Sequence, residues 1–171
     1  LKEITEMIHF GLTSADINNI AFNCMITDCM KKLYYPAFAN MVDMLADLGN
    51  KYKDLPMKSR THGQDASPTT FGKEICNFID RLRKEIEILF SIRLPAKLNG
   101  AVGNWNALCA AAPEVDWIKF SEDFISRLRF ESNIMTTQIE PHDGLARFFG
   151  SLVRINNIIR DMNIDMWLYI S

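Results

Sequence analysis

Several features are missing from this chain, and each absence narrows what it can be. No apolar run approaches the roughly 20 residues that a helical membrane span needs. The apolar residues recur instead at intervals of three and four. No block of lysine and arginine is long enough to form a basic patch, and the net charge is -2 at neutral pH. The charge therefore supplies no electrostatic footprint for nucleic acid. The four cysteines, at 24, 29, 76 and 109, include no C-x-x-C pair, and three lie inside helical patterns. They read as buried free thiols of a reducing compartment rather than as a metal or redox set. Asp16 and Asp65 have no metal-ligand spacing with any histidine, so no metal site is expected. There is no glycine-rich phosphate loop before a helix, no Ser-His-Asp pattern, no visible secretory leader, no internal repeat and no low-complexity segment.

What is present is a chain of 171 residues, 48% hydrophobic and 23% charged, which reads as a folded globular domain. Its ends read as the middle of elements: Leu1–Met7 is no obvious start, and 162–171 continues a helix without a Gly or Pro stop. The chain is therefore expected to be an internal piece of a longer polypeptide.

The spacing predicts a helix from about Ser14–Asp16, with Thr13 or Ser14 as N-cap and Asp16 favoured at the helix start. Its apolar stripe is Ile17, Ile20, Ala21 and Cys24, continuing through Ile26, Cys29, Met30, Leu33, Ala37, Met41, Leu45 and Leu48. Pro36 should kink or split this run, because it lacks a donor and crowds the preceding turn. Residues 52–64 read as irregular. Ser67-Pro68 reads as the cap and first residue of a second helix, with a stripe of Phe71, Ile75, Phe78, Ile79, Leu82, Ile86, Leu89 and Phe90. The glycine-punctuated stretch near 97–106 suits a tight turn or short hairpin-like loop. A short helix is expected at about Trp117–Leu128. A long one is expected from Pro141 onward, with a stripe of Leu145, Phe148, Phe149, Leu152, Ile155, Ile159, Met162, Met166 and Tyr169. Three long amphipathic helices imply an all-α helix bundle, and the width of their stripes implies further partners for the apolar surface.

Three polar clusters abut helix ends: 9–16, 59–64 and 136–143. His62, between hydroxyl and amide neighbours, is a candidate general acid, because imidazole titrates near neutrality. Thr13 and Ser14 add hydroxyls to the free N–H groups of a helix start, which suits a carboxylate or phosphate, although on spacing alone N-capping is the simpler explanation. Gln138 offers both a donor and an acceptor. His142-Asp143 reads as a local hydrogen-bonded pair in the first turn of the last helix, and His9 carries little by itself.

Taken in order, these clusters resemble the aspartase/fumarase superfamily of lyases over nearly the whole chain. Phe10–Asp16 is similar to the family's Thr-Ser-x-Asp segment and Arg60–Gln64 to its histidine segment. Lys97–Asn104, Pro113–Trp117 and Thr137–Asp143 also resemble it and point to a bacterial type. The His-Gly-Gln form, in place of the leucine that fumarases, aspartases and argininosuccinate lyases typically carry, resembles the branch that cleaves succinyl-purine nucleotides. Asp65 departs from the proline of many relatives. The signature loop, Ser-Ser-x-Met-Pro-x-Lys-x-Asn, is absent from the sequence.

The resemblance implies that residues 1–171 are the central helical-bundle domain, without the N-terminal domain, signature loop or C-terminal domain. It implies fumarate-releasing elimination with His62 as the acid, Thr61 positioning the substrate, and Thr13, Ser14 and Gln138 binding it. His9 would touch the nucleotide. The base, a serine, and a lysine would come from the missing loop, so this piece alone should be inactive. It also implies a cytoplasmic homotetramer whose sites are shared between subunits, acting on a small succinyl-nucleotide with no cofactor, nucleic acid or membrane. Two other readings are an argininosuccinate-type lyase and a non-catalytic helical oligomerisation module.

Overall fold

The computed structural model describes residues 2–171. After a 3-10 stretch at Lys2–His9, the chain runs α1 (Ser14–Cys29), a π-helical stretch (Met30–Tyr34), α2 (Tyr35–Lys51), β1 (Pro56–Thr61), β2 (Gln64–Thr70), α3 (Phe71–Ser91), β3 (Pro95–Ala96), α4 (Asn106–Ala111), α5 (Trp117–Arg127), β4 (Glu131–Ser132) and α6 (Asp143–Ile170). The fold is mostly helical, as the periodicity predicts, with only short strands. Among the described residues no helix is long and apolar enough to cross a membrane. The chain divides into two units. One holds the residues up to Cys29 with Ile92–Phe148; the other holds Met30–Ser91 with Phe149–Ser171.

The second unit is the long-helix one. Pro36 lies in the first turn of α2, directly after the π-helical stretch. Having no N–H to give the preceding turn, it ends one helical register, and the backbone widens before resuming. In α3, Ile75, Phe78, Ile79, Leu82, Ile86 and Leu89 are all buried, as expected from spacing, whereas Phe71 is half-buried and Phe90, the last residue of the expected stripe, is exposed. In α6 the buried positions Ser151, Ile155, Ile158 and Met162 alternate at steps of four, three and four, the spacing of a narrow helix–helix seam. Ile158 takes the place expected for Ile159, and Phe149 and Tyr169 of the expected stripe are exposed. Helices α2 and α3 approach closely, because a Cβ on Gly72 would run into the carbonyl oxygen of Gly49 and lie 2.6 Å from Lys53 Cα. Arg81 and Arg154 tie α3 to α6 through Asp161 (3.1 Å) and Glu85 (2.9 Å).

Several expectations need correction. On α2 the buried residues are Phe38, Val42 and Gly49, while Leu33 is 68% exposed. This helix is apolar around most of its circumference, so spacing does not reveal which arc is covered. On α1 the buried face is Asp16, Asn19, Ile20 and Asn23, and Ile17 is exposed. A polar stripe wins there because its groups find partners elsewhere in the chain. All four cysteines are free and exposed, not buried. They flank the covered arcs; Cys76, for example, is next to buried Ile75. Residues 56–70 form an antiparallel hairpin with an irregularity between Lys58 and Arg60, not an irregular loop. Ser67 and Pro68 therefore lie in β2, and α3 is capped by Thr70, whose Oγ1 accepts from Lys73 N at 3.2 Å.

The first unit is built on α1, α4, α5 and the parallel pair of β3 with β4, registered Pro95 to Glu131 and Ala96 to Ser132. The stretch 97–106 closes on itself as a tight turn, with Trp105 N donating to Asn99 O at 2.8 Å, but carries no strand ladder. Trp105 is buried, and its Nε1 donates to Leu98 O and Ser121 Oγ, both at 2.8 Å.

Candidate active site

The first unit assembles a buried polar centre at the N-terminus of α1. Thr13 precedes the helix, and the Asp16 carboxylate reaches back to accept its N–H at 2.9 Å, the return half of a capping box. Asp16 is fully buried and ion-paired with Lys97 at 2.9 Å, and Lys97 is fully buried too. Two more backbone donors, Asn99 N (3.1 Å) and Gly100 N (3.2 Å), complete the carboxylate. The ammonium also donates to Gly100 O (2.9 Å) and Gln138 O (2.7 Å), so all three of its protons have acceptors. Asn19 clamps the Lys97 backbone from both sides, accepting from its N–H and donating to its carbonyl, each at 3.0 Å. A buried charge is tolerable only when paired and saturated in this way.

This centre brings two of the sequence-derived site residues together. Gln138 Nε2 lies 3.5 Å from Thr13 Oγ1. Thr13 is nearly covered, whereas Ser14 and Gln138 are exposed, so the hydroxyl and amide groups meet solvent beside the first turn of α1. The unspent N–H groups of that turn, two hydroxyls and one amide can bind a carboxylate. Asp16 beneath them is neutralised by Lys97. Spacing gave no hint of Lys97, because its partner is remote in sequence. The signal available was the set of polar positions 16, 19 and 23, which share one helix face.

Thr61 and His62 belong to the other unit, at the tip of the β1–β2 hairpin. His62 and Gly63 are the two loop residues, with φ of 54° and 74°. A two-residue type I′ loop requires this pair of positive angles, and glycine takes the second without a Cβ penalty. Strand pairing thus places His62 at an apex where its side chain is exposed. Among the described residues, none hydrogen-bonds its ring, so its hydroxyl and amide neighbours do not hold it in one orientation. Asp65 is paired across the hairpin with Lys58 at 2.6 Å. The charge it adds beside His62 is therefore already matched.

His9 ends the 3-10 stretch and is exposed. His142 lies just before α6, not within its first turn. Its φ is 68°, and its carbonyl accepts the N–H of Ala146 at 2.9 Å. Its own N–H donates to the buried Glu140 carboxylate at 2.6 Å, and Asn133 donates to the other oxygen at 3.0 Å. The partner of His142 is thus Glu140 rather than Asp143. Among the described residues no cluster of three or more His, Cys, Asp or Glu is assembled.

Comparison with known proteins agrees with this architecture. The chain is 48% identical over 171 residues to an adenylosuccinate lyase of Legionella pneumophila (strain Corby). The corresponding values are 44% for that of Haemophilus influenzae and 43% for that of Escherichia coli K12. In each case all of this chain is covered, and it spans 38% of the relative's length. Among solved structures, it resembles a 3-carboxy-cis,cis-muconate lactonizing enzyme from Pseudomonas putida, with a TM-score of 0.78 at 22% identity over 96% of this chain and 37% of that one. A fumarate lyase from Mesorhizobium gives 0.77 at 21% identity, over 95% and 38%. These structural likenesses establish the fold. The profile of the family described as "Lyase" matches residues 1–171, so the whole chain belongs to that lyase family.

Proposed function

We propose that this chain is the central helical part of an adenylosuccinate lyase, which eliminates fumarate from adenylosuccinate to leave AMP. The same site would cleave the succinyl-carboxamide ribotide of purine synthesis. The observation that carries this reading is the 43–48% identity to adenylosuccinate lyases across every residue of the chain.

The chemistry sets two demands. A proton beside a carboxylate is poorly acidic, so the carbanion-like intermediate needs preorganised donors to hold its charge. The amine is a poor leaving group unless it gains a proton as the C–N bond breaks. A base removes the proton from the succinyl carbon, and the electron pair forms the new C=C bond of fumarate. The C–N pair leaves with nitrogen, and His62 supplies that nitrogen's proton. Exposure of His62 at a hairpin tip supports this role, because a sealed ring could not reach a substrate. Thr13, Ser14 and Gln138 bind the succinyl carboxylates, and Thr61 orients the substrate beside His62. No residue here matches the serine base or the binding lysine of the signature loop, so the 171 residues alone should release no fumarate.

The enzyme would be a cytoplasmic homotetramer with sites shared between subunits. The apolar surface left on the helices, such as Met25 (60% exposed), Met44 (65%), Ile164 (52%) and Trp167 (74%), supports burial of these faces against other subunits and does not bear on their number or the compartment. The test of the functional reading is His62→Ala in the intact enzyme. Turnover should fall by about two or more orders of magnitude, with a smaller change in substrate binding. Near-normal turnover would remove His62 from the acid role. Preferential cleavage of argininosuccinate would replace the substrate class.

A further inference from the structure

The Asp16–Lys97 pair ties the start of α1 to two segments that follow the paired strands β3 and β4: the turn at 97–100 and the stretch 134–140. The carboxylate takes the Thr13 N–H on one oxygen and the Asn99 N–H on the other, at 2.9 and 3.1 Å. The ammonium takes the Gln138 carbonyl at 2.7 Å. One ion pair therefore reaches the backbone of both Thr13 and Gln138, whose side chains meet at 3.5 Å. Against an apolar pair of similar volume, a buried ion pair contributes little net stability, so register is the better explanation for two charges at zero exposure. The pair also has an electrostatic consequence. A lone Asp16 carboxylate would cancel the positive end of α1 and repel an anion there. The Lys97 ammonium neutralises it and leaves the helix start attractive.

We infer that Asp16 and Lys97 are positioning residues that hold Thr13 and Gln138 in register and keep the carboxylate-binding end of the site free of opposing charge. This rests on the functional reading above. Neither residue touches substrate; both act through the groups they hold.

The test uses the intact enzyme carrying Asp16→Asn with Lys97→Met, which removes both charges together and strands neither. Steady-state cleavage of the succinyl-nucleotide is measured beside amide hydrogen exchange of peptides spanning 10–16 and 134–140. The expected result is a KM about tenfold higher with kcat changed by less than about threefold, and faster exchange in both peptides but not in α3. The single variant Lys97→Met leaves a carboxylate whose charge is no longer neutralised under the anion site and should raise KM further than the double variant does. A folded double variant with KM within about twofold of wild type overturns the inference, as does unchanged exchange in both peptides. If the double variant does not fold, Asn19→Ala takes its place. It frees the Lys97 main chain without removing charge, and it should raise KM about threefold; an unchanged KM overturns the inference equally. If the wild-type enzyme cleaves no succinyl-nucleotide, the functional reading fails instead, and the exchange comparison alone decides whether the pair sets the register.

Discussion

Replacing Lys97 by methionine should destabilise the first unit severely. Lys97 and Asp16 are both at zero exposure and 2.9 Å apart. Removing one partner of such a pair typically costs about 3–5 kcal/mol, because the remaining charge stays buried and uncompensated. Two features set the position within that range. Asp16 keeps three backbone donors, from Thr13, Asn99 and Gly100, which favours the lower end. The carbonyls of Gly100 and Gln138 each lose a donor, at about 1 kcal/mol apiece, which raises it again. A loss of about 4 kcal/mol is the net expectation. With a urea m-value near 2 kcal/mol/M, the midpoint should fall by about 2 M. The control is Lys58→Met, which breaks a pair whose side chains are 67% and 60% exposed and should move the midpoint very little. Hydrogen exchange across residues 13–20 and 97–105 should localise the loss to the first unit. If Lys97→Met shifts the midpoint no more than Lys58→Met, the buried pair is not what holds the α1 start in place.

Three further outcomes follow from the geometry. Gly72→Ala should lower thermal stability by several degrees in a calorimetric scan, because the new methyl meets the Gly49 carbonyl and the Lys53 backbone rather than a side chain that can swing away. His62→Asn should leave the melting temperature unchanged or slightly raised, since asparagine suits a φ of 54° in a type I′ loop, while removing the proposed acid; a large stability loss would contradict the turn assignment. Burial raises the Tyr34 hydroxyl above its ordinary pKa of 10, and burial followed by the charges of Asp165 and Glu74 raises Tyr169. Their folded-state preference for the neutral form is fully present below pH 10 and is lost as pH climbs through the raised values. A 295 nm titration should therefore show a late tyrosinate component that disappears in the Tyr34→Phe, Tyr169→Phe double variant.

Local rules were legible wherever one signal dominated. The α3 stripe is apolar on one side and charged on the other, so its buried arc could be read directly. Pro36 announced a break because its missing donor acts whatever surrounds it. The histidine segment was legible as a motif but not as a shape. The low apolar content of residues 56–70 hid a hairpin whose strands are held by backbone pairing and closed by His62-Gly63. The Ser67-Pro68 helix start failed for the same reason, since strand pairing outlasts a local cap signal and Thr70 caps the helix instead.

The sequence by itself determined the helical class, the break at Pro36, the core face of α3, and the motifs that carry the family likeness, because each depends on neighbours within a few residues. Only the tertiary structure decided which arc of α2 is covered and why α1 buries a polar face. It alone revealed that Asp16 meets Lys97 beneath Thr13 and Gln138. Such choices depend on what distant segments bring to the same place: a buried charge is stable only where its partner arrives, and no local pattern records that arrival.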